Sequence, residues 1–116
     1  EEKTILLLEY QGKYAIQKRA NKGLLAGLWE LPSVEGKYSE QEIRTILKEE
    51  NQQADIYELG AGQHIFSHIE WSMVGYHIIL EKPIEEDTYV WATKQELQDM
   101  YAIPTAFSIY LKGCIS

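Results

Sequence analysis

The run Thr4-Ile5-Leu6-Leu7-Leu8 limits the fold more than any other part of the sequence. Its aliphatic residues occupy odd and even positions alike, so a strand there carries apolar side chains on both faces. Such a strand has no face to give to water and reads as buried. Trp71 to Glu81 reads as a second long strand, with Val74, Tyr76, Ile78 and Leu80 on one face. Met73, His77 and Ile79 fall on the other. Strands of this kind need packed layers around their sheet, and the rest of the chain has to supply them.

With 116 residues, residues 1–116 fit a single compact domain. A hydrophobic share of 45% beside 25% charged residues is that of a soluble globular domain with a real core. No apolar run reaches membrane-spanning length, and no role at a membrane is expected. The chain opens on Glu1-Glu2 rather than Met, which suggests processing or a segment of a longer protein. Its one cysteine, Cys114, excludes an internal disulfide framework and points to a reducing cytoplasm. No role is assigned to that thiol.

Turn and cap signals divide the chain. Gln11-Gly12 joins the first strand to Lys13–Lys18 as a hairpin. Gly23 and Gly27 mark a packed irregular loop that runs into a short strand closed by Pro32, and both glycines permit positive φ. Ser39-Glu40-Gln41-Glu42 is a capping box, flanked by Tyr38 and Ile43 as a hydrophobic staple. The helix it opens carries Ile43, Ile46 and Leu47 as its buried stripe and fades near Asn51. Ile56–Leu59 is a short strand, Gly60-Ala61-Gly62 a turn, and His64–Ile69 a further extended segment. After an acidic connection and a short strand over Thr88–Trp91, Thr93-Lys94-Gln95-Glu96 forms a second capping box, for a helix with Leu97 and Met100. Pro104 begins a last helix that buries Phe107, Tyr110 and Leu111 and stops at Gly113. The expected fold class is α+β, a mixed β-sheet packed between helices.

The formal net charge of −7 argues against strong binding of a polyanion by this domain alone. The charge is uneven, however. Four of the 11 basic residues (Lys13, Lys18, Arg19 and Lys22) and none of the 18 acidic ones lie between Tyr10 and Trp29. Any phosphate contact is therefore expected from Lys18, Arg19 and Lys22, although charge alone favours a hairpin with solvated lysines.

No catalytic centre emerges from the residues. His64 and His68 sit four residues apart in an extended pattern, roughly 13 Å, too far for one metal ion without a bend. Glu49 and Glu50 are adjacent on a helix and do not face one another. The stretch His64-Ile65-Phe66-Ser67-His68 reads first as a strand with Phe66 in the core and Ser67 facing water. It also gathers a ring, a hydroxyl and an imidazole, a set able to lie against a nucleobase and read its edge.

Three segments carry a family resemblance. Lys22-Gly23-Leu24-Leu25-Ala26-Gly27-Leu28-Trp29-Glu30-Leu31-Pro32 resembles the (K/R)GLLAGLWE(F/L)P stretch in the C-terminal domain of MutY-type adenine DNA glycosylases. Its GLW-E-(L/F)-P part is shared with Nudix hydrolases generally. His64-Ile65-Phe66-Ser67-His68 resembles that domain's H(V/I)FSH, and Tyr101-Ala102-Ile103-Pro104-Thr105-Ala106-Phe107 is similar to its YALPTAF. The order matches, and the resemblance covers nearly the whole chain.

The resemblance implies a non-catalytic, Nudix-like DNA-repair domain that contacts 8-oxoguanine opposite a mispaired adenine in double-stranded DNA. It implies that Phe66, Ser67 and His68 approach the lesion, with no catalytic residue and no metal in this chain. Ser67 would accept from the lesion's N7–H and donate to its C8 carbonyl, while Phe66 presses on the base stack. His68 would orient the loop or touch phosphate. The parent enzyme's adenine pocket and [4Fe-4S] cluster would belong to an N-terminal catalytic domain, which would bind DNA together with this domain. No cofactor is expected here, and a monomer is. Active Nudix hydrolases hold Mg²⁺ with glutamates spaced as R-E-x-x-E-E. Counted from Glu42 that spacing reaches Thr45 and Ile46, and from Glu49 it reaches Gln52 and Gln53, so the cage is missing by this count. An active hydrolase of oxidised nucleotides and a protein-interaction module stay open as alternatives.

Overall fold

A computed structural model describes residues 1–20 and 23–111 of the chain. Lys22, Gly113 and Cys114 lie outside the described residues. The elements run β1 (Glu2–Tyr10), β2 (Lys13–Lys18), β3 (Trp29–Glu30), β4 (Ser33–Glu35), α1 (Glu40–Glu49), β5 (Ala54–Phe66), β6 (Ile69–Leu80), β7 (Val90–Thr93), α2 (Lys94–Asp99) and α3 (Thr105–Ser108). Seven strands form a mixed sheet in the order β3-β2-β1-β6-β5, with β4 paired to β1 and β7 to β2. Strand β1, expected to be buried, lies beside β6 at its centre, and the two form a parallel pair.

Both faces of that pair are covered. Ile5 and Leu7 join Trp71, Met73, Phe107, Tyr110 and Leu111 in one core cluster. Leu8 joins Tyr76, Ile78 and Leu80 in the other, closed by Ile43 and Leu47 of α1. Each of those two helix residues contributes on the order of 2 kcal/mol by leaving water. Both capping boxes are formed, Ser39 with Glu42 and Thr93 with Glu96. The approach to α1 is fixed from within the sheet: the buried Thr4 hydroxyl donates to the Gly36 carbonyl at 2.7 Å and accepts from the Tyr38 N–H at 2.9 Å.

Several expectations need correction. Ile46 is 38% exposed rather than buried, because α1 meets the sheet along the Ile43–Leu47 line alone. Met100 is likewise exposed, and only Leu97 of α2 is buried. The last helix is one turn, with Pro104 at its cap rather than its first position, yet Phe107, Tyr110 and Leu111 are all buried. Strand β7 begins two residues later than its pattern suggested, and β4 was not anticipated.

Gly60-Ala61-Gly62 is no turn; it lies inside the 13-residue strand β5. Gly60 has φ of +89° and marks a register shift against β6 between Glu58 and Gly60. Gly62 serves a different need. A Cβ there would stand 2.8 Å from Ile109 Cδ1, and one at Gly75 would stand 2.4 Å from Tyr110 ring carbons. The two glycines open a notch in which the Tyr110 ring meets the strands directly. Among the described residues no helix is long and apolar enough to cross a membrane.

Gly75→Ala should therefore cost about 1–3 kcal/mol by overpacking. Chemical denaturation of Gly75→Ala, Tyr110→Leu and the double variant should show less than additive losses. A Gly75→Ala protein as stable as its parent would contradict the notch. On the neighbouring edge, Lys3 Nζ donates to Glu35 Oε1 at 2.8 Å across the β1–β4 register. That hydrogen bond and the ammonium's charge hold the Glu35 carboxyl below the usual carboxylate range. A lowered folded-state pKa stabilises above the unfolded pKa, and the contribution fades as pH falls through the folded value. The stability gap between the protein and Glu35→Gln should be present at neutral pH and close in acid. A gap undiminished at about pH 2 would refute the pairing.

Candidate nucleic-acid interface

Strands β5 and β6 make one long hairpin whose register ends at Phe66↔Ile69, leaving Ser67 and His68 as a two-residue loop. Ser67 has φ of +46°, the sign such a loop requires of its first residue. Both loop residues are exposed, and Ile65 beside them is 68% exposed. The hydroxyl and the imidazole thus stand together at the tip of the hairpin.

Phe66 differs from its neighbours. It is half-buried, and its ring meets Trp71 edge-on at 4.8 Å between centroids, with the His64 ring 4.4 Å away. Trp71 in turn meets Phe107 at 5.5 Å and is 1% exposed. A line of rings therefore runs from the hairpin tip into the core. This packing is the strand reading of the stretch: Phe66 packs on the core and Ser67 faces water.

Trp71 also gathers the cations. Lys3 Nζ lies 4.9 Å and the Arg19 guanidinium 5.4 Å from its ring centroid. Its indole N–H is buried and has no hydrogen-bond partner among the described residues, so neighbouring rings and charges hold the side chain. Arg19 Nη1 donates to Glu30 Oε1 at 2.5 Å and its Nε donates to the Leu24 carbonyl at 3.1 Å. Those bonds pin the loop over Gly23 and Gly27, both at positive φ, against β2 and β3. Arg19 is thus engaged inside the fold, and Lys18 at the end of β2 is exposed. Through Trp71 the structure brings the basic stretch and the hairpin together. Sequence reasoning missed Trp71 and Lys3 here. Trp71 carried only the period-two signal of a strand residue, and Lys3 carried none.

The third histidine is elsewhere: His77 Nε2 lies 2.8 Å from Glu9 Oε1, ten residues beyond Ser67. Among the described residues no three His, Cys, Asp or Glu side chains are grouped to hold a metal ion. One register of the R-E-x-x-E-E spacing escapes a count that starts from a glutamate. Placed on Glu49 and Glu50 as its last two positions, it puts Ile46 at the first glutamate and Thr45 at the arginine. Two of the three carboxylates are present, and an exposed isoleucine takes the place of the third.

Comparison with known proteins turns this geometry into a family assignment. The NUDIX domain family matches residues 4–113. The chain belongs to that family. Human adenine DNA glycosylase is 35% identical over 121 residues, covering 91% of this chain and 22% of that protein. The rat adenine DNA glycosylase is 35% identical over 100 residues, covering 77% of this chain and 19% of its own length. The chain thus spans about a fifth of the length of these curated relatives. Among solved structures, the C-terminal domain of mouse MUTYH, in complex with human PCNA, superposes with a TM-score of 0.72 at 25% identity. That match covers 96% of this chain and 84% of the mouse domain. The E. coli ORF135 protein shares the fold at a TM-score of 0.60 and 21% identity, over 97% of this chain and 91% of that one.

The packing separates the tip residues by their effect on stability. Phe66→Ala should cost about 2 kcal/mol, roughly half the loss at a fully buried phenylalanine. Ser67→Ala, exposed and outside the sheet, should stay within about 0.5 kcal/mol of the parent. Thermal or urea unfolding of the two variants checks this, and equal losses would contradict the division of roles.

Proposed function

We propose that this chain is the lesion-recognition domain of an adenine DNA glycosylase, reading 8-oxoguanine opposite a mispaired adenine through the Phe66-Ser67-His68 tip. The observation that carries the reading is the split at that tip: Phe66 is anchored on Trp71, while Ser67 and His68 are presented to solvent. A hydroxyl can accept from one position and donate to the next. Oxidation of guanine creates that pair, an N7–H donor beside a C8 carbonyl, and unmodified guanine offers only the N7 acceptor. An anchored ring behind the hydroxyl limits the ordering cost of the contact.

The charge distribution supports a shared grip on double-stranded DNA. At −7 this domain is ill suited to hold a phosphate backbone by itself, so a basic catalytic domain in the same parent protein supplies most of the affinity. That domain would also carry the adenine pocket and the [4Fe-4S] cluster. Lys18, exposed at the end of β2, is placed to add a local phosphate contact. Similarity to human and rat adenine DNA glycosylases over most of the chain supports the assignment. The substitution of Ile46 for the first glutamate of the hydrolase spacing favours a binding role over nucleotide hydrolysis.

In the full-length glycosylase, Ser67→Ala should reduce discrimination between 8-oxoguanine:adenine and guanine:adenine duplexes about three- to tenfold, the worth of one neutral hydrogen bond. Single-turnover rates and duplex affinities on both substrates measure it. Unchanged discrimination would remove Ser67 from the reading. Metal-dependent release of pyrophosphate from 8-oxo-dGTP by the chain itself would replace the reading with hydrolysis.

A further inference from the structure

Beside α1, on the opposite face of the sheet from Trp71, a cleft of about 250 Å³ remains open. Its floor is Leu6 and Leu8 of β1. Ile46 of α1 forms one wall, and Ile84 and Tyr89 from the connection before β7 form the other. Glu50 and Glu86 also line it, and no basic residue does. Burial raises the Tyr89 phenol pKa, and the charges of Glu86 and then Glu50 raise it further, which places both carboxylates close to that wall. Across Ile46 lies a second hollow, lined by Tyr38, Gln41, Glu42 and Thr45, again without a cation. Ile46 is thus a half-exposed aliphatic ridge between two hollows, at the position where the helical pattern alone would bury it.

We infer that this cleft receives the apolar anchor of a basic protein segment, with Lys or Arg residues flanking the anchor and meeting Glu50 and Glu86. An apolar floor favours an apolar occupant. A lining with carboxylates and no cation selects a positively charged frame around that occupant, and the net charge of −7 adds long-range attraction. The same lining repels the phosphates of a nucleotide. A second copy of the chain is disfavoured too, since a two-fold contact through this patch sets its carboxylates against their own copies. The position leaves the cleft accessible while the hairpin is engaged. Ile78, which also lines the cleft, is nine residues along β6 from Ile69, roughly 30 Å from the tip. The inference does not depend on the DNA reading.

The test is an NMR titration of the isotopically labelled chain with three synthetic 12-residue peptides. One carries a Leu-Leu-Phe anchor flanked by lysines, one carries the same anchor flanked by glutamates, and one carries the lysines without the anchor. The inference expects shifts centred on Ile46, Ile84 and Tyr89 with the first peptide alone, weakening as salt is raised. Ile46→Ser should weaken that binding at least tenfold. Glu50→Lys/Glu86→Lys should transfer the preference to the glutamate-flanked peptide, and thermal melts should show both variants folded. Equal binding of the three peptides, or shifts centred elsewhere, would overturn the inference. So would cleft shifts caused by ADP with Mg²⁺, or by concentration-dependent dimerisation of the chain alone.

Discussion

Two central strands with apolar side chains on both faces cannot be satisfied by one layer of cover. The parallel pairing of β1 with β6 therefore dictates everything packed around it. Helix α1 closes one face through Ile43 and Leu47, and the C-terminal segment closes the other through Phe107, Tyr110 and Leu111. The long β5–β6 hairpin is an extension of that central pair. Its tip is held at a fixed place relative to the core because the same strand that carries Ile78 also carries Trp71.

Trp71 links that framework to the hairpin tip. Its ring touches Phe107 on the core side and Phe66 on the tip side, while Lys3 and Arg19 place their charges near it. Both cations are neutralised locally, by Glu35 and Glu30. The region around the tip is consequently less basic than the sequence count of lysines and arginines suggests. On the proposed reading, recognition at the tip would rest on shape and on directed hydrogen bonds, with bulk attraction to phosphate supplied from outside the domain.

Much of this was legible from local patterns. The capping boxes at Ser39 and Thr93 name their partners within four residues, and both formed as read. The alternation along Trp71–Leu80 assigned its faces correctly, because a strand's side-chain period is fixed by backbone geometry. The failures share a cause: each depended on a partner distant in sequence. Gly60 and Gly62 looked like a turn because their uses need partners distant in sequence, β6 for the register shift and Tyr110 for the notch. Ile46 looked buried because helical spacing cannot show how wide a stripe the sheet will cover. At the tip, the motif singled out Phe66, Ser67 and His68, yet nothing local tied Trp71 or Lys3 to them.

The notch at Gly62 and Gly75 has a consequence for how the molecule breathes. Tyr110 seats in it from the far end of the chain, and Ile109 leans on the same strand. The hairpin and the C-terminal segment are therefore a single cooperative unit despite the long stretch of sequence between them. Neither can detach without uncovering the other's apolar surface. Amide protons at the root of the hairpin and in the last described turn should exchange in step, while the Ser67-His68 tip, beyond the notch, exchanges on its own clock.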